Sequence, residues 1–274
     1  MPKLGLSLSL PTTRVLSSAS AGPALWTPAA TTKTRGWYEL FDASTVTEVG
    51  GSITQIADKS INGVNLTQGT SSLQPTYTTG QYAYFNNDVL ENFSSRYGLA
   101  ANPDIAIIIV SYLLTNTDDD NGLFHIGGTD TGILRAASGT AGWVWRFNNG
   151  NRIFSSGASI LNTWQLTTHL RPAGSDYAAS RFFLNGAEVA STSSANPTGV
   201  PTNLEPRIYL GRGRGNSGPL DGNKLRIAAV IVMETSDVSL VQRSEGYLAH
   251  QLSSLGLVTA LDSGHPFKSA APTV

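Results

Sequence analysis

The stretch SRFFLNGAEVAS, residues 180–191, sets two runs of strand-forming residues on either side of Asn185-Gly186. Asn-Gly suits a type I′ turn, because Gly carries no Cβ and Asn tolerates positive φ. The stretch therefore reads as a tight antiparallel hairpin. Outward from it the same pattern recurs. YAYFNN (82–87), AIIIVSYLL (106–114), GLFHIGG (122–128), GWVWRFNN (142–149), TWQLTTHLRP (163–172), RIYLGR (207–212) and KLRIAAVIVME (224–234) are short runs punctuated by Gly, Asn, Asp, Pro and Ser. These residues supply the positive or fixed φ that turns require.

One helix is expected, and late. Ser236 or Asp237 caps VSLVQRSEGYLAHQLSSLG, in which Val241, Ser244, Leu248, Leu252 and Leu255 fall at helical spacing before Gly256 ends it. Many strands with one terminal helix imply an all-β fold, two antiparallel sheets packed as a sandwich.

Composition agrees. Of 274 residues 40% are hydrophobic and only 14% charged, with 28 Gly; charge usually takes about a quarter. Net charge is -1 and no long basic run exists, so no nucleic-acid partner is expected. Cysteine is absent, which excludes disulfides and thiolate chemistry. No apolar run approaches the ~20 residues of a membrane span, so no membrane partner is expected. Lys3, the leucines and SASAG invite a leader reading, but Ser, Pro11 and Arg14 interrupt the apolar region, so none is expected.

Residues 1–35 are rich in Ser, Thr, Ala, Pro and Leu, with Lys3, Arg14, Lys33 and Arg35 and no acid. They read as an extended arm. LGLSLSL (4–10) places Leu4, Leu6, Leu8 and Leu10 at alternate positions, hence on one face of a strand. Such a row needs a sheet edge or groove to cover it. Full burial would contribute about 6–12 kcal/mol before entropy is subtracted. The row is therefore expected to anchor the chain to another subunit.

The order of the pieces resembles the concanavalin A-like lectin/glucanase superfamily (laminin-G-like jelly roll), in the form found in tailed-phage virion proteins. LFDASTVTEVGGSITQIADKSINGVNLTQGTSSLQPTY (40–77) is similar to that family's opening, with Ala57 where Trp is common and Ile61 where Gly is. RFFLNGAEVAS resembles its Asn-Gly strand pair, and IYLGRGRGNSGPLDGNKLRIAAVIVME (208–234) its closing strand–loop–strand. RSEGYLAHQLSSLG…LDSGHPFKSAAP (243–272) is similar to the family's end, with Tyr247, His265, Pro266 and Lys268 at matching positions. The resemblance covers about residues 37–272. Beyond the anchoring arm read above at 1–35, it implies a jelly-roll sandwich at 36–256 that includes helix 238–255, and a tail at 257–274 packed on the sandwich. It further implies a non-enzymatic accessory protein on the virion surface, as capsid decoration or as a head or tail fibre. The partners would be other virion proteins and sister subunits, together with host surface glycans. The alternative is a polysaccharide-degrading depolymerase or glucanase.

The chemistry legible in the residues is sparse. Retaining glycoside hydrolysis needs two carboxyls about 5 Å apart, and no E-x-D-x-x-E strand is present. Glu39 and Asp42 would fall on opposite faces of a continuing strand, as would Asp88 and Glu91. No catalytic residue is expected. Asp118, Asp119, Asp120 and Asn121 sit in a turn whose oxygens suit Ca²⁺ or simply solvent; the spacing is not that of an EF-hand. Apart from that ion, no cofactor is expected. In GRGRGNSG (211–218), Gly213, Gly215 and Gly218 imitate a dinucleotide loop, but a strand follows where a helix is needed. Arg212 and Arg214 can instead grip an acidic glycan or a carboxylate. Trp143, Trp145 and Phe147 share one strand face, expected to be buried, since large aromatics fill cores. Trp26, Trp37 and Trp164 show no such patterning. The four histidines lack metal-ligand spacing, and no G-x-S-x-G elbow exists.

Overall fold

A computed structural model describes residues 23–100, 102–114, 122–127, 131–136, 142–147, 150–155, 161–174, 179–195, 206–212, 224–257 and 260–274. At 131–136, 142, 144–147, 150–155 and 191–195 the description is of the backbone alone. The strands are β1 Thr34–Glu39, β2 Val46–Val49, β3 Ser52–Ile56, β4 Leu66–Thr67, β5 Thr76–Thr78, β6 Tyr82–Asn86, β7 Leu90–Asn92, β8 Ile105–Leu113 and β9 Gly122–Ile126. They continue with β10 Thr131–Ala136, β11 Gly142–Phe147, β12 Gly150–Ser155, β13 Trp164–Arg171, β14 Arg181–Leu184, β15 Ala187–Val189, β16 Ser191–Ala195, β17 Ile208–Leu210 and β18 Lys224–Met233. The helix α1 spans Val238–Ser253. It is neither long nor apolar enough to cross a membrane.

Pairing between these strands is antiparallel throughout. One run is β15–β14–β13–β8–β18, with the first half of β18 also paired to β6 and its second half to β1. A second run is β16–β12–β11–β10–β9–β17–β7–β4–β3. β5 pairs with both β3 and β6 and joins the two runs into one hydrogen-bonded set. Among the described residues the result is an all-β sandwich with one α-helix.

β8 lies near its centre. Ile105, Ile107, Ile109 and Leu113 pack in one apolar cluster with Phe124, Ile126, Ile208 and Leu210. Ala106, Ile108 and Val110 pack in the other, with Val241, Leu248 and Leu252 of α1. A strand covered on both faces carries a continuous apolar run, which is how AIIIV arises. Trp143 is fully buried in the first cluster. Trp145 and Phe147 are described only by backbone.

The local signals give the local structure. Asn185 and Gly186 take φ of 50° and 82° between β14 and β15, as a type I′ turn requires. Asp237 caps α1 by accepting from the Ser239 N–H at 2.9 Å, and Gly256 follows with φ of 67°. Leu255 does not share the buried helix face. It lies beyond Ser253, where the helical period has ended, and is exposed.

The two ends of the described chain meet. The Trp26 N–H donates to Pro272 O and the Val274 N–H to Ala24 O, both at 2.9 Å, flanking a Leu25–Thr273 bridge. Trp26 is buried, and Thr34 opens β1. Residues 23–35 of the expected arm thus lie against the body. The Leu4, Leu6, Leu8 and Leu10 row lies outside the described residues.

Candidate functional site

Residues paired directly across neighbouring strands point to the same side. Five strands meet at one such line: Thr76 faces Tyr84, Tyr84 faces Arg226, Arg226 faces Tyr112, and Tyr112 faces Trp164. Thr78 faces Tyr82 two positions along. This is the side that α1 covers further along β8 and β18, so the helix leaves this end of the face open.

The side chains form one aromatic cluster. The Trp164 ring lies 5.6 Å from Tyr82 and 5.5 Å from Tyr112, centroid to centroid. The Arg226 guanidinium sits 5.1 Å from the Tyr82 ring and 4.9 Å from the Tyr112 ring. Beside it opens a groove of about 270 Å³ lined by Thr76, Thr78, Tyr82, Tyr84, Leu114 and Arg226. All the rings are half-buried. Rings with a wet face, ringed by hydroxyls, suit an amphipathic ligand such as a sugar.

A second recess of about 290 Å³ is lined by Pro28, Ala29, Thr31, Thr32, Thr34, Lys59, Ser60 and Ile61. It has no aromatic wall, and its one cation is engaged. Lys59 Nζ donates to Glu39 Oε2 at 2.5 Å and to Asp42 Oδ2 at 2.9 Å. The two carboxylates therefore converge, contrary to the strand-face expectation. β1 ends at Glu39, so strand alternation does not extend to Asp42. Burial pulls the Lys59 pKa down, but the hydrogen bonds it donates to Glu39 and Asp42, with their charges, outweigh it and leave it raised. Such a locked pair is structural.

Asp118, Asp119, Asp120, Asn121 and Arg214 lie outside the described residues. Arg212 is described, its guanidinium 5.2 Å from the Tyr209 ring and remote in register from the groove. Among the described residues no three His, Asp or Glu gather as a metal site would need. Sequence reading assigned no site role to Tyr82, Tyr84, Tyr112, Trp164 or Arg226. The signal available was the alternation of Tyr82 and Tyr84, together with a lone arginine inside the apolar KLRIAAVIVME.

His169 on β13 is buried with its ring 4.6 Å from that of Phe182, and burial pushes its pKa well below the ordinary value. The unfolded chain therefore takes up a proton first as pH falls below about 6.5. Stability from this group is complete above that pH and is lost as pH drops from there toward the folded value. Urea denaturation at about pH 7.5 and pH 5 should show a fall of up to about 1.4 kcal/mol per pH unit from this residue. His169→Gln should remove that share; an unchanged slope would contradict the assignment.

No protein-family model matches the chain, and no curated protein matches it. Among solved structures, Trypanosoma rangeli sialidase in complex with sialic acid aligns with a TM-score of 0.51 and 13% identity, over 85% of this chain and 36% of that one. The same sialidase with 2,3-difluorosialic acid, a covalent intermediate, gives 0.50 and 13% over 82% and 34%. The ligand binding domain of botulinum neurotoxin serotype D with N-acetylneuraminic acid gives 0.49 and 14% over 76% and 49%. The chain spans about a third of the length of the sialidases. At such identity the sialidase likeness is one of fold, and it places the chain among all-β sandwiches. It also corrects the expectation of a protein that is not an enzyme. That expectation rested on what the fold usually does, and the sialidases that share the fold are enzymes.

Proposed function

We propose that the chain is a carbohydrate-binding β-sandwich, a two-sheet jelly roll of the concanavalin A-like type, with its sugar site at the groove lined by Tyr82, Tyr84 and Arg226 and at the Tyr112 and Trp164 rings packed beside it. The observation that carries this reading is the line of aromatic side chains held by register on the open end of a sheet face. The sialic acid complex of the sialidase with a similar fold supports it. The setting we propose is a phage particle, as capsid decoration or a fibre, with the leucine row at Leu4–Leu10 docking on sister subunits or other virion proteins.

A glycan array with the purified protein tests the site. Wild-type protein should retain a defined set of glycans, and Tyr112→Ala and Trp164→Ala should each weaken binding about tenfold, ~1.4 kcal/mol. Binding untouched by either substitution would move the site elsewhere. A reducing-sugar assay on the retained glycans reads whether cleavage follows binding. Deleting residues 2–14 tests the anchor: the sandwich should still fold, with a smaller assembly mass in light scattering. An unchanged mass would end the docking idea.

A further inference from the structure

Resting on that reading, we infer that the groove takes a carboxylated sugar, a uronic or sialic acid unit, whose carboxylate is gripped edge-on by Arg226. The argument begins with what Arg226 lacks. Arg35 pairs with Glu234, and Arg181 is bidentate on Glu188 at 2.8 and 2.7 Å. Arg226 has no hydrogen bond or ion pair among the described residues, although it is half-buried. Its contacts are with rings instead, Tyr82 at 5.1 Å and Tyr112 at 4.9 Å.

A guanidinium is planar, and its N–H groups lie in that plane. Rings stacked against it strip water from the cation without using any donor. A planar carboxylate matches two parallel N–H groups. Part-desolvated surroundings strengthen the attraction, because less water screens it. Among the described residues no carboxylate pairs with Arg226, and the groove runs beside it. Thr76, Thr78, Tyr82 and Tyr84 line the same space, and hydroxyls of this kind both donate to and accept from a sugar's own hydroxyls. Arginine also fixes the choice of anion geometry in a way that lysine, a point charge, would not.

The experiment compares an array of uronic and sialic acid glycans with their carboxyl-reduced forms, beside sulfated and neutral glycans. Wild-type protein should bind the carboxylated members at least about tenfold more tightly than the reduced forms, and the gap should narrow as salt rises. Arg226→Gln should erase the preference while leaving the melting temperature near wild type, and Arg226→Lys should restore only part of it. The charged-against-reduced comparison needs no variant, so it stands even if one fails to fold. Equal binding of both forms, a preference that survives Arg226→Gln, or retention of sulfated glycans alone would overturn the inference while leaving sugar binding intact. Binding of no glycan at all would instead overturn the carbohydrate reading itself.

Discussion

Glu245→Ala is expected to lower the unfolding free energy by about 3–5 kcal/mol, a large part of the 5–15 kcal/mol that holds a typical domain. Glu245 lies on α1 and is fully buried. Its Oε1 accepts from the Thr168 hydroxyl of β13 at 2.6 Å, and its Oε2 meets His265 Nε2 at 3.1 Å. The network fixes the tautomer. His265 Nδ1 accepts from the Phe267 N–H at 3.2 Å, so Nε2 carries the proton and donates. One side chain thus ties helix, strand and C-terminal segment together. Alanine would leave two buried donors without an acceptor, at about 1–3 kcal/mol each, and a void besides. Glu245→Gln keeps one carbonyl acceptor but presents an N–H₂ to the other donor, so it should lose roughly half as much. Urea denaturation monitored by tryptophan fluorescence measures both. A loss below about 1 kcal/mol for alanine would show that the three segments are held by apolar packing alone.

The second large effect is expected at Glu39→Ala, with a loss of about 2–5 kcal/mol. Glu39 is nearly inaccessible at the end of β1. Its Oε1 accepts from Trp37 Nε1–H at 2.8 Å and from the Tyr247 hydroxyl at 2.7 Å, while Oε2 takes Lys59. Burial, and then the Glu39 charge, push the Tyr247 phenol up, so it remains a hydroxyl and donates. Without the carboxylate, the indole and phenol donors stay buried and unpaired, whereas Lys59 keeps Asp42. The loss should therefore come mainly from the two rings. Lys59→Met alone should cost much less, and a double-mutant cycle with Glu39→Ala separates the two shares. A Lys59→Met loss equal to that of Glu39→Ala would place the weight on the ion pair.

Both clusters show what sequence can and cannot carry. The hairpin at Asn185-Gly186 and the Asp237 cap are legible because each is decided within a few residues. The runs that became β6, β8, β13 and β18 are legible because apolar side chains bounded by turn formers have few other places to go. The burial of Trp143 follows from the same logic. Glu39 and Asp42 misled because alternation was carried past the point where β1 ends. The groove was hidden for a different reason. Thr76, Tyr84, Arg226, Tyr112 and Trp164 come from five separated parts of the chain, and only strand register sets them side by side. Of the residues expected in advance to bind a ligand, Arg212 lies among the described residues, with its guanidinium against the Tyr209 ring and away from that line.

β18 has a mechanical consequence. Thr34 enters the sheet opposite Met233, while the groove gathers around Arg226 at the strand's other end, about 23 Å away at ~3.3 Å per residue. A pull exerted between the segment before β1 and a ligand in the groove would run lengthwise along β18. It would load the rungs joining β18 to β1 and β8 together, in shear, where peeling would break them one at a time.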